Sequence, residues 1–568
     1  MEMIPEYACA AARYLTPVLA VWILYRCVRS GLREKYEPEV WGYLTLANGE
    51  KAPLRHWECI MGRSRSSDII IDHKTVSRTH AALIRDGDGE WTVCNLGAKH
   101  GVKKNGEEVE KEAVTGDGDI LSLADVEIEI RLLSEEERLA LSENRTKPGK
   151  FIHPGRTFFI LTVLQMQLAV QHMFAADEGR APAVVLSFFA AAAVMWCYYL
   201  IMRSARRTGF EVETAAFFLS TLGISVAAVS TPDDMLKQML LFAAGILFFV
   251  ILGRWLRSLK RAKSASLPVA VIAVVLLAAN LIFAERIMGA RNWLMIAGFS
   301  LQPSEFVKIA FVYTGAATLD RLFLNKNLFV FIVFSALCVG ALVLMGDFGT
   351  AAVFFCTFLV IAYMRSGNLA TVFLSVTAAV LAGFLVLSIK PYIAARFDLW
   401  GHVWEFPYDA GYQQTRALSA VASGGLFGLG AGNGVFHSIV AADTDLVFAL
   451  LCEESGLITA LCAVFALPVL AAFTVKNAAQ GRSSFYVIAA CAAVSMMMIQ
   501  MSLNVFGSLD ILPFTGITFP FVSRGGSSLI SCWAMAAFIK AADTRQNAGF
   551  SVKFGRFRQA GEKGGDPG

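Results

Sequence analysis

Residues 446–470, LVFALLCEESGLITALCAVFALPVL, and 485–506, FYVIAACAAVSMMMIQMSLNVF, are apolar almost throughout and are parted by a short basic stretch, KNAAQGR at 476–482. A helix of about 20 such residues spans the hydrocarbon core of a bilayer. A helix on a soluble protein needs only one apolar stripe. Working outward, the same pattern recurs at 8–28, 156–175, 183–202, 212–230, 234–253, 267–284, 304–319, 328–345, 348–364, 369–388 and 528–541. This predicts a polytopic α-helical membrane protein with about 13 transmembrane helices.

Composition agrees. The chain of 568 residues is 56% hydrophobic and 17% charged, against about a quarter charged in soluble proteins. A net charge of +4 gives no reason to expect nucleic acid. The 11 cysteines, among them Cys197, Cys338 and Cys491, lie mostly singly in apolar runs without metal-ligand spacing. They read as small buried hydrophobes. Residues 8–28 lack a basic flank before them and are followed by Arg26, Arg29, Arg33 and Lys35. Segment 1–35 is therefore expected to be a membrane anchor, not a cleaved signal.

Basic residues are retained on the cytoplasmic side. They concentrate at 203–207, 254–263, 320–327, 476–482 and after Lys540. Placing all of these inside alternates correctly with every apolar run. The N-terminus then lies outside, residues 30–150 and the tail 543–568 inside, and segment 389–445 outside. That outer segment is far longer than an ordinary connection. It mixes Arg396, Asp398, Trp400, His402, Trp404, Glu405 and Asp409, then runs into GGLFGLGAGNG at 424–434. Chemistry is expected on this face.

Residues 40–133 are different: short apolar runs alternate with turn signals, as in DIIID, GVKKNGEEV and DILSLADVEIEIRLL. This spacing predicts an all-β sandwich, joined to the next helix by a linker at 134–155. Gly62-Arg63, Ser77-Arg78-Thr79-His80 and Asn105-Gly106 occur in the order and spacing of a forkhead-associated (FHA) domain, which this segment resembles. The resemblance implies binding of phosphothreonine peptides through Arg63, Ser77, Arg78 and Asn105, with His80 as a brace. An arginine fork and a hydroxyl suit phosphate oxygens. The sequence departs from the family at Ala98, Lys99, His100 and Gly101, where a hydroxyl residue and then Asn-Gly are usual.

Five further motifs follow in the apolar part: QPSE at 302–305, GDFGTAA at 346–352, GYQQTRALSAVASGGLFGLGAGNG at 411–434, AADTDLVFALLCEESG at 441–456 and GITFPFVSRGGSSLI at 516–530. Together they resemble the SEDS family (shape, elongation, division and sporulation), the RodA, FtsW and SpoVE group. The resemblance covers 210–542 and implies a ten-helix core, leaving 8–28 and the two runs within 156–203 as additions. It implies a peptidoglycan glycosyltransferase that extends glycan strands from lipid II and works with a class B penicillin-binding transpeptidase.

Such chemistry needs a base for the acceptor hydroxyl, cationic groups or a divalent cation for the departing pyrophosphate, and room for two lipid tails. No cofactor is specified by the sequence, and the metal is left open. Asp445, in the Thr-Asp dipeptide before an apolar helix, is the candidate base, with Asp443 as rival; either is alternatively a helix N-cap. Arg396, Arg416 and Arg524 are candidates for the pyrophosphate, or alternatively pair with Asp398, Asp409 or Asp347. Ser527 belongs to a run, 523–528, that suits a nest of N–H donors. Glu305 and Lys308 lie one turn apart and are expected to form a membrane ion pair. Glu453 and Glu454 are expected to brace the bundle. The family pattern is altered at Val440, Ala441, Asp443 and Leu446. A lipid II flippase and a weakly catalytic scaffold are the competing functions.

Overall fold

The computed structural model describes residues 3–33, 38–46, 49–65, 67–86, 89–144, 153–285, 292–296, 299–318, 326–366, 369–389, 391–545 and 547–550. Lys35, most of the basic loop 320–327 and the tail beyond Phe550 fall outside them.

After a long first helix, α1 (Met3–Arg33), the chain enters eleven strands. These are β1 (Gly42–Leu46), β2 (Lys51–Leu54), β3 (Glu58–Gly62), β4 (Ile69–Ile70), β5 (Ala81–Arg85), β6 (Trp91–Asn95), β7 (Val102–Lys104), β8 (Glu107–Glu108), β9 (Glu112–Thr115), β10 (Ile120–Leu123) and β11 (Val126–Leu132). They form two sheets, ordered β2-β1-β11-β10-β7-β8 and β4-β3-β5-β6-β9. Every pairing is antiparallel except β3 with β4. Side chains alternate as a strand requires: in β11, Ile128 and Ile130 are buried while Glu127 and Glu129 face solvent. Inward residues of both sheets, such as Leu44, Met61, Leu83, Val93 and Leu121, close the core.

A short helix, α2 (Glu135–Asn144), leads to the membrane part: α3 (Pro154–Ala175), α4 (Ala181–Ser204), α5 (Glu211–Ser230), α6 (Met235–Trp255), α7 (Leu259–Ser264), α8 (Ser266–Phe283), α9 (Pro303–Thr318), α10 (Lys326–Met345), α11 (Phe348–Ser366), α12 (Leu369–Ile389), α13 (Pro391–Leu399), α14 (Tyr412–Gly424), α15 (Val447–Ala478), α16 (Ser484–Ser508) and α17 (Gly526–Ala541). Each apolar run of the sequence coincides with a helix. Among the described residues, nine helices are long and apolar enough to cross a bilayer.

Helix α5 is the hub, buried along almost its whole length. The helices before it are bonded to the core by buried polar pairs: Gln165 donates to Thr221 (3.1 Å), His172 meets Ser225 (2.7 Å), and Gln167 donates to Thr16 on α1 (2.8 Å). Such amide and hydroxyl pairs hold helices where the lipid supplies no hydrophobic drive. At one end of the bundle, Lys540 pairs with Glu213 (3.1 Å) and Arg545 with Glu211 (2.6 Å) and Asp543 (2.7 Å).

The sandwich docks on this same end. The Glu58 carboxylate, at the start of β3, accepts from Lys263 (3.0 Å), the Ser483 hydroxyl (3.0 Å) and the Ser484 N–H (3.1 Å). From another domain it thus adds a charged acceptor to the start of α16, whose own N-cap is Ser483, where free N–H groups need partners. Trp57 N–H donates to the Arg482 carbonyl (2.6 Å), Arg482 pairs with Glu39 (2.5 Å), and Trp57 packs edge-on against Tyr486.

Candidate functional site

The opposite end of α16 carries the candidate site. Asn504, buried on that helix, donates through Nδ2 to the carbonyls of Asp445 (2.9 Å) and Ile517 (2.7 Å). The loop before α17 therefore wraps the Thr-Asp dipeptide. Ser523 accepts from Phe519 N–H (2.8 Å) and donates to the Thr444 carbonyl (2.5 Å), and Arg524 N–H donates to the Asp443 carbonyl (2.8 Å). Gly516, at φ +68°, lies against the Asp445 carboxylate: a Cβ there would stand 3.2 Å from Oδ2. A side chain at this position would crowd the carboxylate and strain the backbone.

Asp445 does not cap its helix. The N-cap of α15 is Leu446, without a side-chain cap bond. The carboxylate is instead partly buried among like charges. Burial, then the negative charges of Asp347 and Asp443, push it up to about 6, against the opposing pull of Thr444 and Arg396. Burial also raises Asp443, offset by Arg524. Asp347 opens α11, where it accepts the Thr350 N–H (3.0 Å), and is raised by burial as well. Asp347, about a hundred residues earlier in the chain, thus acts on the same carboxylate as its near neighbour Asp443, which sequence spacing alone did not reveal.

The three arginines part company. Arg396 is exposed at the end of α13, reaches the Phe514 carbonyl (3.5 Å) and acts on Asp445. Arg524 pairs with Asp443 (3.2 Å) and Asp234 (3.8 Å), so the partners expected for it, Asp398, Asp409 or Asp347, give way to these. Arg416 is exposed on α14 and lies over the Tyr412 ring, 5.3 Å from its centre. Ser527 is buried in the first turn of α17, whose N-cap Gly525 makes no side-chain cap bond. Glu305 and Lys308 form the expected pair, 2.7 Å apart and both buried. Their charges act on Asp347. Among the described residues, no three His, Cys, Asp or Glu side chains are grouped to hold a metal ion.

A broken helix frames the same face. Gly456 interrupts α15 with φ +83° and ψ 160°, and a Cβ there would fall 2.4 Å from the Leu426 carbonyl oxygen. The Gly-rich run fills the gap: Leu457 N–H donates to Gly425 O (2.9 Å) and Leu429 N–H to Glu453 O (2.8 Å). The carboxylates of Glu453 and Glu454 accept N–H groups from Phe436 (2.9 Å) and Gly432 (2.6 Å). These acids hold the Gly-rich loop in addition to the helix they sit on.

In the sandwich, loops 63–64 and 77–78 are laced together, Arg63 N–H to Ser77 O (3.0 Å) and Ser64 N–H to Arg78 O (3.0 Å). Gly62 permits this approach, since a Cβ would meet Arg78 O at 2.3 Å. The Arg63 and Arg78 side chains are exposed. Buried His80 accepts from Ser77 N–H at Nδ1 (3.1 Å) and donates from Nε2 to Gly101 O (2.8 Å). It is a brace in one neutral tautomer. Asn105 sits at φ +50° with its amide committed to Asp119 (2.8 Å) and Ile120 N–H (2.8 Å), which hold a turn.

Comparison with known proteins follows these two parts. Residues 214–548 match a family described as "Cell cycle protein" (FtsW, RodA, SpoVE), and residues 59–124 match the FHA domain. A protein named "Probable peptidoglycan glycosyltransferase FtsW" from Borreliella burgdorferi is 28% identical over 60% of this chain and 94% of its own length. "Stage V sporulation protein E" of Bacillus subtilis is 34% identical over 42% of this chain and 68% of its own. A chain solved in work described as "Structural coordination of polymerization and crosslinking by a peptidoglycan synthase complex" superposes with a TM-score of 0.49, at 23% identity, over 58% of this chain and 96% of that one.

Proposed function

Since the chain belongs to the FtsW, RodA and SpoVE family and carries an FHA domain, we propose that it is a multi-pass membrane peptidoglycan glycosyltransferase that polymerises lipid II at the outer face of the cytoplasmic membrane. The observation that carries this reading is Asp445, a partly buried carboxylate raised to about 6 by burial and by Asp347 and Asp443. A base wants a pKa near the working pH.

In the step we propose, Asp445 takes the proton of the acceptor sugar hydroxyl. The hydroxyl oxygen bonds to the anomeric carbon of the donor, whose bond to the pyrophosphate oxygen breaks. The undecaprenyl pyrophosphate leaves with that electron pair. Arg396, exposed and within electrostatic reach of Asp445, is the proposed cation for the leaving group. Arg524 is committed to Asp443 and Asp234 and serves to hold the loop. A class B penicillin-binding transpeptidase is the proposed partner that crosslinks the product.

The sandwich end of the bundle is the proposed cytoplasmic side, because the basic loops gather there. Arg63, Ser77 and Arg78 are the proposed phosphothreonine ligands, recruiting a phosphorylated protein that places the synthase at growth sites. Purified protein given lipid II tests the function. Glycan chains are the expected product; lipid movement across liposomes without glycan would favour the flippase, and neither activity the scaffold.

A further inference from the structure

Asp445 is useful as a base only if its carboxylate is held still, and its own side chain does little of that holding. The fixing comes through its backbone. Asn504 is 2% exposed, two turns or less from the end of α16, and its Nδ2 bonds two carbonyls at once: Asp445 O at 2.9 Å and Ile517 O at 2.7 Å. These belong to two segments, the Thr-Asp dipeptide and the loop whose Gly516 abuts the Asp445 carboxylate. Both acceptors are carbonyls, so the amide orientation is forced: the NH₂ must face them. Its Oδ1 is then left buried with no hydrogen-bond partner among the described residues. A buried orphan acceptor is costly, and a neutral apolar residue of the same shape would avoid the cost.

Resting on the polymerase reading above, we propose that Asn504 is a positioning residue for the reaction, tying the base-bearing dipeptide to the loop that shields it. An apolar bundle would be more economical; the amide is retained because it fixes two non-contiguous segments to a rigid membrane helix. The residue acts through Asp445 and touches no substrate in this role.

The effect extends to the acidity of the base. The charged groups facing Asp445 are Asp347 from the start of α11, Asp443 from its own loop and Arg396 from α13, with Arg524 and Asp234 beyond Asp443 and Glu305 and Lys308 beyond Asp347. Without the Asn504 bridge the 515–517 loop parts from the dipeptide and water reaches the carboxylate. Relief of burial lowers the pKa of an acid.

The test is lipid II polymerisation by the full-length purified protein across pH, for wild type, Asn504→Leu, Asn504→Ala and Asp445→Ala. Both Asn504 variants remove the donors without adding a charge beside Asp445, the first keeping the shape, and the second serves if the first does not fold. The expected result is a kcat lower by about 10–100-fold with KM little changed, the range for lost positioning of a catalytic group. The acidic limb of the pH profile should also move to lower pH. A wild-type kcat and an unmoved acidic limb in either folded variant would overturn the role of Asn504 while leaving the polymerase reading intact. Full activity in Asp445→Ala, or no glycan from wild type, would overturn the reading itself and the proposal with it.

Discussion

At the scale of the residue, the contrast between Asp445 and His80 shows how burial selects a protonation state. Asp445 is held up to about 6 by burial and neighbouring aspartates. Its ionised form is needed for base catalysis, so polymerisation should climb about tenfold per pH unit below this value and level off above it. The same shift costs stability. The folded pKa exceeds that of the unfolded chain, about 3.9, so stability falls as pH rises from about 4 to about 6. Asp445→Asn should therefore melt higher than wild type at pH 8, by roughly 1–3 kcal/mol, and the difference should shrink towards pH 4.5. A melting curve in detergent at both pH values reads this. His80 behaves oppositely: burial lowers it below its ordinary 6.5, and both its ring nitrogens are used in the neutral form. Protonation favours the unfolded chain, so the sandwich should lose stability as pH falls below about 6.5.

Elements carry the next level. Hydropathy runs unbroken through the start of α15, so its helical character was legible from sequence. The break at Gly456 was not, because the cause lies in the Gly-rich run some thirty residues earlier, which needs the space a side chain would take. Gly456→Ala should destabilise the protein by at least about 1–3 kcal/mol, combining backbone strain with the clash at Leu426. Loss of thermal stability with raised amide exchange in 425–432 is the expected signature. Nothing in the local sequence marks Glu58, and only the fold shows its carboxylate accepting from the first turn of α16 beside the N-cap Ser483. Removing one partner of a buried, hydrogen-bonded charge typically costs about 3–5 kcal/mol. Glu58→Ala should raise exchange at residues 483–487 if the sandwich is held there.

For the whole molecule, the sequence told most about the parts and least about their meeting. Apolar runs placed the helices, alternation placed the strands, and the ordered motifs pointed to Asp445, Arg63 and Ser77. Asp347 joined the carboxylates, Asp234 took up Arg524, and Glu58 seated the sandwich on α16, all across chain separations that local pattern does not encode. The resulting layout is directional. From Glu58 at the docked end, β3 runs about 13 Å to Gly62, while α16 runs from the Ser484 N–H held by Glu58 to Asn504 beside Asp445. Arg63→Ala should abolish capture of phosphothreonine peptides and Arg63→Lys weaken it, because a point charge replaces a planar fork. Equal capture of phosphorylated and plain peptides by the unaltered protein would remove that role.

The decisive measurement is glycan synthesis from lipid II by the purified protein, alone and with a class B penicillin-binding transpeptidase, for wild type and Asp445→Ala. Glycan chains from wild type, reduced by about 10²–10⁴ in the variant, are expected for loss of a general base. Undiminished glycan from Asp445→Ala would contradict the assignment and move the base to Asp443 or elsewhere.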